Sequence, residues 1–350
     1  MTSVDVSPNP GGLTMLTYLP EGLRTGSPLV VVLHGCSQTG EGYAQGAGWL
    51  DLADRFGFAV LCPQQPAANN PNRCFNWFQP GDTRRGQGEA ASIASMVKST
   101  VAAHALDPRR IFITGLSAGG AMTAAMAAAY PELFAGAAIM AGLPYGAAAN
   151  VSEALGAMAR PQALASRTWG DKVRSACDYE GPWPSISIWH GDADATVRPA
   201  AADALVSQWT DVHGVSGAPA IAVTPKGRRF EVWMSNDGRG VVEHHRFPGM
   251  GHGTPVATNG PEAYGSAGPF LLDVGVASSF EIASGWGIAG APEADQKPLE
   301  TVRPDKATSG EHGQAGGPGP DGARHAATRP TEFVARTIDD ALKAAGLLRR

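Results

Sequence analysis

Five short apolar runs constrain this chain more than any other feature. PLVVVLHG (28–35), FAVLC (58–62), RRIFITG (109–115), AGAAIMAG (135–142) and SISIWHG (185–191) are continuous and rich in β-branched residues, as strands buried on both faces are. Between them lie segments with helical spacing. Trp49, Leu52, Ala53 and Phe56 share one side of 49–56, and Ile93, Met96, Val97 and Val101 form a stripe along 89–105. Further helices are expected from the Ser117 turn to Tyr130 and over 200–212. Strands alternating with helices of this length predict an α/β fold with a mostly parallel central sheet flanked by helices.

Residues 143–183 break that rhythm with short helical pieces, which predicts a cap inserted over the sheet. RRFEVWM and VVEHHRF, separated by SNDGRG, predict an antiparallel hairpin, and 276–287 the last helix of a catalytic domain spanning 1–289. From 290 to 330 Gly and Pro recur without periodicity, predicting a flexible linker. The apolar residues of EFVARTIDDALKAAGLL then predict an amphipathic helix within 331–350, docked on the core or joining a partner.

Composition narrows the function. Only 17% of residues are charged and the net charge is −5, which leaves no basic footprint for nucleic acid. The uncharged run from Ile111 to Tyr130 is long enough to span a bilayer. Small residues dominate it, however, and Pro131-Glu132 ends it, so it reads as a strand and a helix meeting at a turn, not as a membrane segment. MTSVDVSPNPGG carries no basic or apolar leader pattern, and no signal peptide is expected in it. The four cysteines Cys36, Cys62, Cys74 and Cys177 form no CxxC pair, against a zinc site. A Cys62–Cys74 bridge around the Pro/Asn-rich loop, a Cys36–Cys74 bridge and four reduced thiols all remain open.

The chemistry centres on Gly115-Leu116-Ser117-Ala118-Gly119, a G-x-S-x-G between an expected strand and helix. A serine on such a sharp turn projects its hydroxyl at the carboxyl edge of the sheet. It becomes a nucleophile only when a base takes its proton, so a histidine and an orienting carboxylate should follow. SISIWHGDADATV supplies Asp192 and Asp194 just past a strand end. Asp194 is the expected orienting carboxylate and Asp192 a turn-former. Of the downstream histidines, His244 and His245 are adjacent on a strand and face opposite sides, and His312 and His325 fall in the linker. His213 also lies downstream, but His252 lies in GMGHG, a loop after a strand able to bring an imidazole to a serine. The order Ser117, Asp194, His252 is the order of an α/β-hydrolase. The developing oxyanion needs backbone donors, and the expected ones are the amides of Ala118 and Cys36. Asn76, Trp77, Tyr145 and Trp286 are candidate substrate contacts, while Trp189 on a central strand reads as core. GMGHG and GLSAGG lack the lysine of a P-loop, so no cofactor is expected, and no metal.

LHGCSQTGEGY, PQQPAANNPNRCFNWF, DTRRGQGE, GLSAGGAM, GLPYGAA, WHGDADATV and GMGHGTP together resemble the poly(3-hydroxybutyrate) depolymerase-type esterase family. That family is an α/β-hydrolase branch related to feruloyl and acetylxylan esterases. The resemblance runs from about residue 12 to 289, and RCFNWF and GLPYGAA are more discriminating than the serine box. It implies the Ser117, Asp194, His252 triad, the Cys36 oxyanion amide, Trp77 beside the cleft and a usually secreted location. The implied activity is hydrolysis of short-chain 3-hydroxyalkanoate esters or polyester through an acyl-enzyme, with feruloyl or acetylxylan ester hydrolysis as the alternative. A serine peptidase would carry acidic residues for a peptide amine, and none is identifiable. The intact Ser-Asp-His set argues against a non-catalytic homologue. The segment after Gly290 lies outside the family pattern.

Overall fold

The computed structural model describes residues 1–290 except 216 and 224–226. The expected linker and terminal helix, from residue 291 onward, lie outside the described residues. In chain order the elements are β1 (Thr2–Val4), β2 (Thr14–Tyr18), β3 (Leu29–Leu33), α1 (Gly40–Gly46), α2 (Trp49–Phe56), β4 (Ala59–Gln64), α3 (Pro80–Thr83), α4 (Gly88–His104), β5 (Ile111–Leu116) and α5 (Ala118–Ala129). There follow β6 (Gly136–Met140), α6 (Val151–Ala159), α7 (Ser166–Arg174), β7 (Ser185–Gly191), α8 (Ala200–Val212), β8 (Ala220–Val223), β9 (Arg229–Met234), β10 (Gly240–Phe247), β11 (Thr254–Val256), β12 (Leu271–Asp273) and α9 (Ser278–Gly285).

Among the described residues ten strands form one sheet in the order β1-β2-β4-β3-β5-β6-β7-β10-β9-β8. The six central strands, β4 to β10 in that order, are all parallel. β1 and β2 on one side and β9 and β8 on the other run antiparallel. β9 and β10 are the expected hairpin. The short strands β1, β2 and β8 were not legible beforehand, and β11 pairs with β12 in a separate small sheet.

The five apolar runs are continuous because both faces of the sheet are covered. Along β3 the side chains alternate: Leu29, Val31 and Leu33 belong to the apolar cluster that holds residues of α4, α5 and α8, whereas Val30 and Val32 belong to the one that holds residues of α2, Trp189 and α9. Every residue of α5 is buried, and its Ala and Gly content lets its axis lie close against the strands it crosses. No helix among the described residues is long and apolar enough to cross a membrane.

Because these strands are parallel, the turns after β3, β5, β6, β7 and β10 lie at one edge of the sheet. The segment between β6 and β7, expected as a cap, holds α6 and α7. Ala154 and Ala157 of α6 and Trp169 of α7 join Trp77, Ala118 and Leu143 in a third apolar cluster at that edge.

Candidate active site

Ser117 sits between the last residue of β5 and the first of α5 with φ 57° and ψ −116°. A non-glycine residue in that region carries strain of about 1–3 kcal/mol and persists only where its surroundings hold it. Here the Ser117 N–H donates to Met140 O at 2.9 Å, and its carbonyl accepts from Ala121 N at 2.8 Å. The turn also needs α5 to start against the end of β3. A Cβ on Gly119 would lie 2.3 Å from Leu33 O and 2.5 Å from His34 O. Gly119→Ala is therefore expected to destabilise the protein by about 3 kcal/mol, the upper end for overpacking. Denaturant unfolding measures this, and an unchanged midpoint would refute the packing argument.

Asp194 lies in the turn after β7 and is 1% exposed. Its Oδ1 accepts from the Thr196 and Val197 amides at 2.8 and 2.9 Å. Its Oδ2 accepts from His252 Nδ1 at 2.7 Å, with His190 Nε2 a further 3.3 Å away. Burial pushes this carboxyl up, but the hydrogen bonds from His190 and His252 outweigh it and hold Asp194 well below the usual carboxylate range. His190 Nε2 also donates to Val197 O at 2.9 Å, so that nitrogen carries the proton.

His252 arrives on the loop after β10. That loop presses on the end of β7, where a Cβ on Gly191 would lie 2.1 Å from Met250 O. Asp192 pins the same loop by accepting from Gly249 N at 2.6 Å, and Ala193 N donates to Met250 O at 3.1 Å. Thus Asp194 meets the imidazole, while Asp192 holds the loop that delivers it. His252 Nε2 and the Ser117 hydroxyl are hydrogen-bonded to nothing among the described residues. His244 stands 3.3 Å from Glu231 and His245 stacks on Trp189 at 3.7 Å, both away from Asp194.

The turn after β3 carries Cys36, and neither its amide nor that of Ala118 donates a hydrogen bond among the described residues. Cys36 is disulfide-bonded to Cys74. The Cys62–Cys74 alternative is excluded because Cys62 is buried in β4 with its side chain against Gly40 in the core, and Cys62 and Cys177 are free thiols. Behind the turn, fully buried His34 accepts from Gln65 N at its Nε2 (3.1 Å), so its Nδ1 bears the proton and donates to Gly35 O at 2.8 Å. Burial brings this imidazole down to about 4, keeping it neutral.

Two of the expected substrate contacts are corrected. Asn76 spends its polar atoms internally: its backbone N and Nδ2 donate to Glu89 at 2.9 and 2.8 Å, and its Oδ1 accepts from Asn70 at 3.0 Å. Trp286 stacks on Phe112 at 4.7 Å and Trp49 at 5.9 Å. It also abuts Gly136, so it lies at the amino-terminal edge of β5 and β6, opposite Ser117. Trp77 packs in the cluster containing Ala118. Tyr145 is half-buried against the α4–α5 core, its backbone clamped by Gln208. Leu143, two residues before it, reaches the Ala118 cluster instead. Trp189 is core.

Glu89 was not singled out from sequence, although DTRRGQGE contains it. It is 1% exposed, and burial, with Asp82 adding repulsion, raises its carboxyl to about 8 from the usual 4.5. Between those values the folded chain holds a proton that the unfolded chain has lost, so this contribution to stability declines as pH rises from about 4.5 to 8. Buried His34 and His213, both lowered from 6.5 to about 4, act oppositely, and only below 6.5. The melting temperature is therefore expected to fall between pH 6.5 and 8, and to fall less in Glu89→Gln. A steeper fall in the variant would refute this.

Residues 13–231 match the model of the family described as esterase PHB depolymerase. The chain is 46% identical over 284 residues to poly(3-hydroxyalkanoate) depolymerase C of Paucimonas lemoignei, covering 81% of this chain and 68% of that protein. It is 34% identical over 253 residues to the acetylxylan esterase of Coprinopsis cinerea, covering 71% of this chain and 67% of that one. Among solved structures, the acetyl xylan esterase of Aspergillus awamori superposes with a TM-score of 0.69 at 25% identity, covering 82% of this chain and 99% of that one.

Proposed function

The chain belongs to the esterase PHB depolymerase family, and from that premise we propose that it hydrolyses esters of short 3-hydroxyalkanoates, polyester included, through an acyl-enzyme formed on Ser117. It is an α/β-hydrolase and a carboxylic ester hydrolase. The observation that carries the mechanism is the 2.7 Å bond from His252 Nδ1 to Asp194, with Ser117 on a strained turn at the same edge of the sheet.

His252 Nδ1 carries a proton toward Asp194, so Nε2 presents a lone pair for the Ser117 hydroxyl proton. Ser117 Oγ attacks the ester carbonyl, and the negative charge gathering on its oxygen is met by the free amides of Ala118 and Cys36. Each such donor is typically worth about 3 kcal/mol. Asp194 stabilises the imidazolium, which passes its proton to the leaving alcohol as the tetrahedral intermediate collapses. Water then repeats the sequence on the acyl-enzyme, with His252 again the base, and frees Ser117.

Beside Ser117, the apolar cluster of Trp77, Ala118, Leu143 and Ala147 suits a small aliphatic acyl group, and the charge of −5 suits a neutral substrate. A carbohydrate acetyl ester is the second reading, favoured by the similarity to the acetyl xylan esterase structure. A panel of 3-hydroxybutyrate oligomers, acetylated xylan and methyl ferulate separates them. The highest kcat/KM is expected for the oligomers, and a higher value for acetylated xylan would transfer the assignment.

A further inference from the structure

A buried carboxyl that the reaction does not use lies directly behind the turn bearing Cys36. Three N–H donors converge on Glu89. Its Oε1 accepts from Gln65 Nε2 and, at 2.8 Å, from Asn76 Nδ2; its Oε2 accepts from Asn76 N at 2.9 Å. These donors come from both sides of Cys74. Gln65 Nε2 also donates to Cys74 O at 3.1 Å, and Asn76 is two residues downstream. Asn76 Oδ1 in turn holds Asn70, whose own Oδ1 accepts from Cys74 N at 3.3 Å and Asn72 N at 3.0 Å. One carboxyl therefore fixes the backbone around Cys74.

From Cys74 two routes lead to the Cys36 amide. The first is covalent, through the Cys36–Cys74 disulfide. The second runs from the Gln65 backbone N–H to His34, and from His34 Nδ1 to Gly35 O at 2.8 Å. Gly35 C=O and Cys36 N–H belong to one planar trans peptide and point in opposite directions. Holding the carbonyl toward His34 therefore aims the N–H the other way. Ser37, with φ 65°, is tied to the same loop by its N–H to Asn72 O at 2.7 Å.

We propose that Glu89 is a positioning residue that sets the direction of the Cys36 amide, acting through the loop around Cys74 and through Gln65 and His34. This rests on the reading of that amide as an oxyanion donor. A second side chain also holds Gln65, since Asn69 Nδ2 donates to its Oε1 at 3.1 Å. Helix α5, packed against α4, contributes no titratable side chain, β4 contributes only the core thiol of Cys62, and α3 contributes Asp82, which accepts from the Glu89 amide. The raised carboxyl of Glu89 reflects the same enclosure. A group this costly to bury should be replaceable by an apolar side chain if it served packing alone.

Glu89→Gln keeps the shape but replaces an oxygen, which keeps a lone pair for an N–H donor even when the carboxyl is protonated, with an NH2 that cannot accept. In folded protein, checked by circular dichroism and melting, kcat is expected to fall about 10- to 100-fold with KM within about twofold, the size expected when a transition-state contact is misplaced by about 1 Å. Affinity for a trifluoromethyl ketone, whose adduct carries the oxyanion, should fall in proportion. In a Cys74→Ser background the same substitution should cost less, because one route is already cut. Unchanged kcat and ketone affinity in folded Glu89→Gln, or full additivity with Cys74→Ser, would overturn the proposal. A structure of the wild-type ketone adduct tests the underlying reading separately. An adduct oxygen away from Cys36 N overturns the oxyanion assignment whatever Glu89 does, and an oxygen at Cys36 N leaves any failure with Glu89 alone.

Discussion

Ser117→Ala is expected to lower kcat for p-nitrophenyl butyrate by about 10⁶-fold, leaving the residual rate that binding and oxyanion stabilisation sustain without a nucleophile. The size follows from the unit character of the site. Without the hydroxyl no acyl-enzyme forms, and the His252–Asp194 pair has no proton to accept. Folding should be intact, because the Ser117 backbone makes the turn: its N–H binds Met140 O and its carbonyl binds Ala121 N, and neither bond uses the side chain. Alanine inherits the strained φ of 57°, so the melting temperature should change little. Steady-state kinetics on the purified variant decides it, and a loss of only a few fold would sink the nucleophile assignment.

Asp194→Asn should be nearly as damaging, with a loss in kcat of about 10⁴-fold, the scale seen when a triad carboxylate becomes an amide. The hydrogen bonds dictate how the asparagine sits. Thr196 N and Val197 N both point at Oδ1, so the amide oxygen must stay there and the NH2 must take the place of Oδ2. That NH2 then faces His252 Nδ1, which can only accept, and the ring proton moves to Nε2. An imidazole in that tautomer cannot take the Ser117 proton. The NH2 also meets the Nε2–H of His190, which lies 3.3 Å from Oδ2. Asp192→Asn is the control. The asparagine oxygen can still accept from Gly249 N, so kcat should fall less than tenfold. Comparable losses in the two variants would mean that Asp192 shares the orienting role.

How much of this was legible in sequence differs with the range of the interactions. The helices over Trp49–Phe56 and Ala200–Val212 and five of the six parallel strands follow from local periodicity and apolar runs, whereas β10, expected only as one arm of the hairpin, also pairs in parallel with β7. The order of Ser117, Asp194 and His252 past successive strand ends raises the expectation of a triad, of which the structure shows the bond between His252 and Asp194. Side-chain roles that depend on docking were not legible. Trp286 has the composition of a cleft residue, but α9 packs at the amino-terminal edge, where its ring stacks between Phe112 and Trp49. Asn76 has the composition of a polar contact, yet its partner Glu89 waits in the core on α4. The cysteine pairing, with Cys36–Cys74 one of the open alternatives, could not be decided, because it depends on how the 65–79 loop folds back over the turn after β3. His34, Gln65 and Glu89 share one sequence signal, polar residues in segments that pack as core, and burial alone reveals its meaning.

The Cys36–Cys74 bond also places a condition on maturation. Thiols in a glutathione-buffered cytosol remain reduced, whereas oxidising compartments form and keep such bridges. A chain folded under reducing conditions would reach the same sheet and the same Ser117 turn, since both are built from backbone contacts and apolar packing. It would lack the one covalent tie between the 65–79 loop and the Cys36 turn. Recombinant material could then be fully folded by spectroscopy yet differ in specific activity according to the redox history of its production, with free-thiol content as the measure that sorts one preparation from another.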